Sequence, residues 1–160
     1  MGKSLGGVLV LSGCLVSGMV SAEESFLRIK GNGCCGGKGE AVLTRAEFEA
    51  LPQTEVKTGT PWTEGEHLYR GVLLRDLLGA YGLKSQEIKA LAINDYWAVL
   101  PKADGDKYAV LLAEKQDGKP LTLRNKGPLW IVYPLSDHPE LDKELYHNRM
   151  VWQLAAIESQ

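Results

Sequence analysis

Arg124-Asn125-Lys126-Gly127-Pro128-Leu129-Trp130-Ile131-Val132-Tyr133-Pro134 is the stretch on which the reading of this chain turns. An ordinary buried strand is a plain run of Val, Ile and Leu. Here the apolar run Leu129–Val132 carries an indole, follows two cations and a Gly-Pro turn, and ends at Tyr133-Pro134. The run predicts a strand that presents chemistry as well as filling a core. Asn94-Asp95-Tyr96, between two further expected strands, adds a carboxylate. Cations, flat rings and a carboxylate together suit a planar, hydrogen-bonding small molecule.

Working outward, most of the chain from Ile88 onward reads as strand. Ile88–Ile93 and Trp97–Leu100 flank the Asn94-Asp95-Tyr96 corner. Asp104-Gly105-Asp106 and Asp117-Gly118-Lys119 are both Asp-Gly hairpin signals. Met150–Ile157 reads as a closing strand, with Trp152 and Leu154 assigned to the core, and Asp137–Leu145 as a short helix. Towards the N-terminus, Phe26–Lys30 alternates as an opening strand, and Thr54–Thr58 alternates before the turn Gly59-Thr60-Pro61-Trp62. Leu68–Val72 reads as a further short strand. Thr44-Arg45-Ala46-Glu47 has the capping-box spacing that starts a helix. Leu74, Leu77, Leu78 and Tyr81 recur on one helical face, with Gly82 placed to end it. Several strands with three short helices predict an α+β domain rather than a βαβ repeat.

The chain has 160 residues, 44% hydrophobic and 24% charged, with a net charge of -2. Those values suit one globular domain and give no support to disorder or to a nucleic-acid partner. Residues 1–22 read as an export leader, with Lys3 ahead of an apolar run and small residues before a cut at Glu23. Residues 23–160 are then the working domain, with 17 basic and 20 acidic side chains. Leu11-Ser12-Gly13-Cys14 also matches a lipobox; ordinary export is preferred because only a short apolar run precedes Cys14 and the run continues past it. The expected location is the periplasm. Besides Cys14, the cysteines are Cys34 and Cys35 in a Gly-rich loop. An incidental thiol pair is the first reading there, with a vicinal or intermolecular bridge as alternatives.

Catalytic signatures are missing. The sequence has no P-loop, GxSxG occurs as Gly2–Gly6 inside the expected leader and GxGxxG as Gly31–Gly36 in the Cys-bearing loop, neither followed by an expected helix, and His67, His138 and His147 sit in unrelated contexts. No metal is expected from them, and Asp104 with Asp106 lacks the rest of a calcium loop.

An ordered set of motifs remains. Thr60-Pro61-Trp62 is followed by Tyr69–Leu78, Asn94-Asp95-Tyr96, Pro101, Asp117-Gly118, Lys126–Pro134 and Arg149–Leu154. This order resembles the molybdopterin-binding domain of the sulfite oxidase family, and more closely the small exported pterin-binding proteins of the PruR type in that superfamily. The resemblance covers residues 51–157 and implies the sulfite-oxidase-type fold. It also implies a reduced pterin as ligand, and a partner that is the periplasmic part of a membrane signalling protein, either a cyclic di-GMP enzyme or a sensor kinase. Enzymes of the family hold molybdenum through a cysteine in the loop before the segment matching Gly71–Leu78. Residues 54–66 contain no cysteine here. A soft thiolate is not replaced by Thr58 or Thr60 without changing the chemistry. The expectation is therefore a binding protein with no catalytic residue and no metal. Two rivals stay open: a molybdopterin-dependent oxidoreductase with an atypical metal ligand, and an interaction module without ligand.

For a pterin, Asp95 is the first candidate to accept from the ring N3–H and 2-amino group, with a turn-stabilising role as its ordinary alternative. Asn94 and Tyr96 flank it. Trp62 or Trp130 would stack on the ring, or else pack as rim or core aromatics; Tyr133 is a weaker candidate. Arg124 and Lys126 would meet a carbonyl, hydroxyls or a phosphate, or else cap a solvated hairpin. Arg149 would line the pocket or pair with an acidic neighbour.

Overall fold

In β1 (Leu27–Gly31) alternate side chains are buried, Leu27 and Ile29 completely. This computed structural model describes Gly2 and residues 24–159. The expected leader over residues 1–22, apart from Gly2, lies outside the described residues, and so does Cys14. β1 pairs antiparallel with β2 (Glu40–Leu43) and parallel with the last strand, β10 (Leu154–Ser159). β10 pairs with β5 (Glu87–Ala92), which turns back into β6 (Trp97–Pro101). The first sheet therefore runs β2-β1-β10-β5-β6. The second contains β3 (Thr54–Gly59), β4 (Glu66–Leu73), β7 (Leu111–Gln116) and the two-residue β8 (Lys119–Pro120), with β9 (Trp130–Val132) also paired to β7. Among the described residues the architecture is α+β, with two sheets and four short helices. Both sheets supply one contiguous apolar core.

Local chemistry explains most elements. β7 lies between β4 on one side and β8 and β9 on the other, so Leu111–Glu114 are all buried. β4 bulges between Arg70 and Gly71, and a Cβ at Gly71 would run into the Leu112 carbonyl oxygen. Only glycine lets the two strands approach so closely. The β7–β8 turn uses Asp117 and Gly118, both with positive φ, the conformation a two-residue hairpin requires. α1 (Arg45–Glu49) has its capping box complete: Glu47 N–H donates to Thr44 Oγ1 at 3.2 Å and Thr44 N–H to Glu47 Oε2 at 2.8 Å. Its buried Phe48 meets Phe26 edge-on at 5.3 Å. α2 (Leu74–Tyr81) buries Leu74, Leu77 and Leu78, each contributing roughly 1.5–3 kcal/mol. It closes at Gly82, where Leu83 N–H returns to the Leu78 carbonyl at 2.9 Å.

Several expectations are corrected. Asp104-Gly105-Asp106 is no hairpin turn but part of α3 (Lys102–Lys107). β6 and β7 belong to different sheets, so a helix rather than a tight turn carries the chain across. Gly105 lets α3 sit against Leu74, where a Cβ would already be 3.3 Å from its side chain. The expected helix at 137–145 divides into a 3-10 turn at Pro139–Leu141 and α4 (Glu144–His147). The closing strand starts at Leu154, because Gln153 has φ 49 and cannot continue an extended run. Cys34 and Cys35 are bridged to each other rather than left as thiols, with Cys34 fully buried.

Candidate functional site

Three segments far apart in sequence meet at a cleft of about 280 Å³. The β3–β4 loop supplies Trp62. Its turn is fixed by the Thr60 and Thr63 hydroxyls, bonded to each other at 2.7 Å, and by Trp62 N–H donating to Thr60 Oγ1 at 3.3 Å. The indole is therefore held out from the fold and remains 38% exposed. The β5–β6 turn supplies Asn94 and Tyr96. Tyr96 N–H donates to Asn94 Oδ1 at 3.2 Å, and its hydroxyl donates to the Asn148 carbonyl at 2.8 Å. That second bond clamps the turn onto the third segment, which adds His147, Asn148 and Trp152.

The aromatic groups form a cluster. Trp62 lies edge-to-face with Trp152 at 5.1 Å, with His147 at 6.0 Å and with Trp130 at 6.1 Å. Such contacts contribute about 0.5–1.5 kcal/mol each beyond the area they bury. Trp130 is fully buried and its indole N–H donates to the Met150 carbonyl at 3.2 Å. It backs the cleft rather than opening into it. Lys126 Nζ stands 5.4 Å from the Trp130 ring centre and 5.5 Å from that of Trp152. A cation already on these rings disfavours a second one, so the cleft suits a neutral or anionic flat ligand better than a quaternary ammonium. His147 Nε2 bonds Asp142 Oδ1 at 2.8 Å. A carboxylate accepts, so Nε2 carries the proton and Nδ1 is left as an acceptor in neutral imidazole.

The other sequence candidates lie elsewhere. Asp95 sits at the corner of the β5–β6 turn with φ 67, a conformation that favours Asp and Asn, and it is not among the residues lining the cleft. Arg124 is exposed on the 3-10 turn Leu123–Asn125. Tyr133 and Arg149 form a separate buried knot. Asp104 Oδ2 accepts from the Tyr133 hydroxyl at 2.9 Å and from Arg149 Nη1 at 2.7 Å. Burial, then the Asp104 charge, pushes the Tyr133 phenol far above its usual range.

His147, Asn148 and Trp152 were not singled out as ligand residues by the sequence. Trp152, expected in the core of the closing strand, instead precedes β10, is only partly buried and lines the cleft. Tyr69 was missed as well. Its ring is fully buried, edge-on to Trp130 at 5.4 Å, and its hydroxyl has no hydrogen-bond partner among the described residues. It faces Thr60 and Thr63, whose hydroxyls are engaged with each other. Burial pushes this phenol up too.

For a pterin, the stacking half of the required chemistry is present in Trp62, Trp152 and Tyr96. The carboxylate half is not among the lining residues, where the Asn94 and Asn148 amides and His147 Nδ1 are polar groups at hand. No group of three or more His, Cys, Asp or Glu among the described residues could hold a metal ion. Compared with known protein families, the chain matches none, and no curated protein shows significant similarity to it.

Proposed function

We propose that this chain is an exported, non-catalytic pterin-binding protein with the molybdopterin-domain fold of the sulfite oxidase type. It would report its ligand occupancy to the periplasmic part of a membrane signalling protein, a cyclic di-GMP enzyme or a sensor kinase. One observation carries the ligand class: a small cleft walled by Trp62, Trp152 and Tyr96, with flat faces and few polar groups. Its volume of about 280 Å³ is just below the roughly 300–1,000 Å³ range of ligand sites, which suits nothing larger than a single bicyclic ring. Lys126 favours an electron-rich or anionic heterocycle over a cation. Asp95 stands between the cleft residues Asn94 and Tyr96 and is the carboxylate nearest to them in the chain.

Donor chemistry separates this reading from the oxidoreductase. Residues 54–66 offer no thiolate. Thr58 is buried and spoken for: its Oγ1 accepts from Ser136 N–H at 3.0 Å and donates to the Gly59 carbonyl at 3.0 Å. A relay needs only that the partner bind the loaded and empty forms with different affinity.

The test is to make the protein with its leader, purify it natively, release small molecules by denaturation and identify them by mass and by fluorescence after oxidation. A pterin is expected. No heterocycle from any folded preparation, together with no quenching of tryptophan fluorescence on titration with 2-amino-4-hydroxypteridine, would leave the interaction module. Stoichiometric molybdenum would favour the enzyme.

A further inference from the structure

The cleft is not the largest hollow. A groove of about 690 Å³ crosses the first sheet, with Leu91 and Ile93 in its floor and Pro120–Leu123 forming a rim. It shares no lining residue with the cleft, but Gln153, which lines neither, joins residues of the two. Gln153 follows the cleft residue Trp152 directly. Its carbonyl accepts from Ile93 N–H at 2.9 Å, which holds the β5–β6 turn where that turn enters the groove. Its own N–H donates to the Lys126 carbonyl at 2.8 Å, and Lys126 is the residue whose ammonium covers Trp130 and Trp152. Its side-chain amide donates to the Leu123 carbonyl at 2.9 Å.

The segment it grips is stiff. Thr122 and Asn125 cap each other, and Gly127 N–H returns to the Thr122 carbonyl at 2.7 Å. A displacement at one end of 122–127 is therefore carried to the other rather than absorbed. Gln153 does this at φ 49, while Lys126, to whose carbonyl it donates, has φ 74, and Asp95, in the turn that follows Ile93, has φ 67. Non-glycine residues in that region are uncommon and persist where surrounding bonds over-determine them. These three concentrate where cleft and groove adjoin.

We infer that Gln153 is a positioning residue that couples the aromatic cleft to the Pro120–Leu123 rim, so that a change in the cleft resets the groove. The inference rests on the proposed function only where it makes the cleft ligand a pterin. The side-chain amide is the specific link, because the backbone bonds of residue 153 do not depend on its side chain unless that residue is proline.

Hydrogen–deuterium exchange over residues 121–127 reads the coupling without a ligand. Tyr96→Phe removes the hydroxyl bond to Asn148 and loosens the cleft. It should change exchange over 121–127 by about threefold or more, the scale of a coupling of order 0.5–2 kcal/mol. With Gln153→Glu, isosteric but unable to donate, that response should vanish. With Gln153→Lys, which restores an N–H donor, it should return. A response of equal size in all three backgrounds, or none in the native one, overturns the inference. A second arm adds 2-amino-4-hydroxypteridine and follows tryptophan quenching alongside exchange. Quenching without any change over 121–127 also overturns the coupling while leaving the pterin reading intact. Absence of quenching, with the Tyr96→Phe response still abolished by Gln153→Glu, supports the coupling and counts against the pterin.

Discussion

The stretch from Arg124 to Pro134 feeds two regions built of the same materials. Its first half sends Lys126 and Trp130 to the aromatic cleft; its last residues send Tyr133 to the knot with Asp104 and Arg149. Each region combines aromatic rings, a cation and a nearby carboxylate. In the knot every contact closes: Asp104 accepts two hydrogen bonds through one oxygen, and the Arg149 guanidinium lies 5.3 Å from the centre of the Tyr146 ring. In the cleft the rings leave faces uncovered, and a hydroxyl behind it, that of Tyr69, has no partner among the described residues. Residue type does not distinguish a site from a strut. What distinguishes them is whether the local groups satisfy one another.

Breaking the knot should give the largest effect. Asp104→Ala leaves Arg149, whose side chain is only 16% exposed, without its carboxylate and Tyr133 without its acceptor. Removing one partner of a buried pair costs about 3–5 kcal/mol, which chemical denaturation would read directly. A loss below about 1 kcal/mol would mean that solvent reaches the pair, as at surface ion pairs, and the contrast with the cleft would fail. Trp62→Ala should behave in the opposite way. Its partial exposure limits the stability loss to about 1–2 kcal/mol, while binding of 2-amino-4-hydroxypteridine should weaken at least about tenfold. Unchanged binding in a folded Trp62→Ala protein would take the ring out of the site.

Tyr69→Phe gives a smaller effect of the other sign. The substitution deletes a buried hydroxyl that no described residue satisfies, so the ligand-free protein should gain about 1 kcal/mol. If the ligand or a water fills that role, the same change should weaken binding or bring no gain. Comparing thermal midpoints with and without 2-amino-4-hydroxypteridine separates these outcomes.

How much was legible in the sequence follows the range of each signal. α1, α2 and the Asp117-Gly118 turn were readable because capping, periodicity and turn chemistry act within a few residues. α3 was not, because its Asp-Gly-Asp resembles a turn until Leu74, distant in sequence, packs against Gly105. The start of β10 was misplaced by the left-handed Gln153, whose three hydrogen bonds reach residues 93, 123 and 126. The cleft shows the same divide. Trp62, Asn94 and Tyr96 sit in turns whose local chemistry exposes them, and the structure brings them together. His147 and Trp152 join them only through long-range packing. Tyr133 and Arg149, equally suggestive as residue types, are claimed by Asp104 instead.

The finest test of the contrast lies in the loop that carries Trp62. His67 Nδ1 bonds Asp117 Oδ2 at 2.7 Å and Nε2 bonds the Glu64 carbonyl at 2.9 Å. Both ring nitrogens thus face acceptors, an arrangement that only the imidazolium satisfies fully. The Asp117 bond accordingly holds His67 above its ordinary value of 6.5 and Asp117 below its ordinary 3.8. For the raised histidine, stabilisation is complete below the unfolded value and is lost as pH rises through the folded one. For the lowered aspartate, it is complete above the unfolded value and is lost as pH falls through the folded one. The pair therefore contributes most between about pH 4 and 6.5. The difference in thermal midpoint between the native protein and His67→Gln should be greatest near pH 5–6 and shrink as pH rises through the raised value of the folded histidine. Because both groups are largely solvated, this is the smallest of the expected effects, and a difference constant across that range would mean that His67 stays neutral. The Trp62 turn has its own tie through Thr60 and Thr63, so ligand binding should change less than stability over the same pH range.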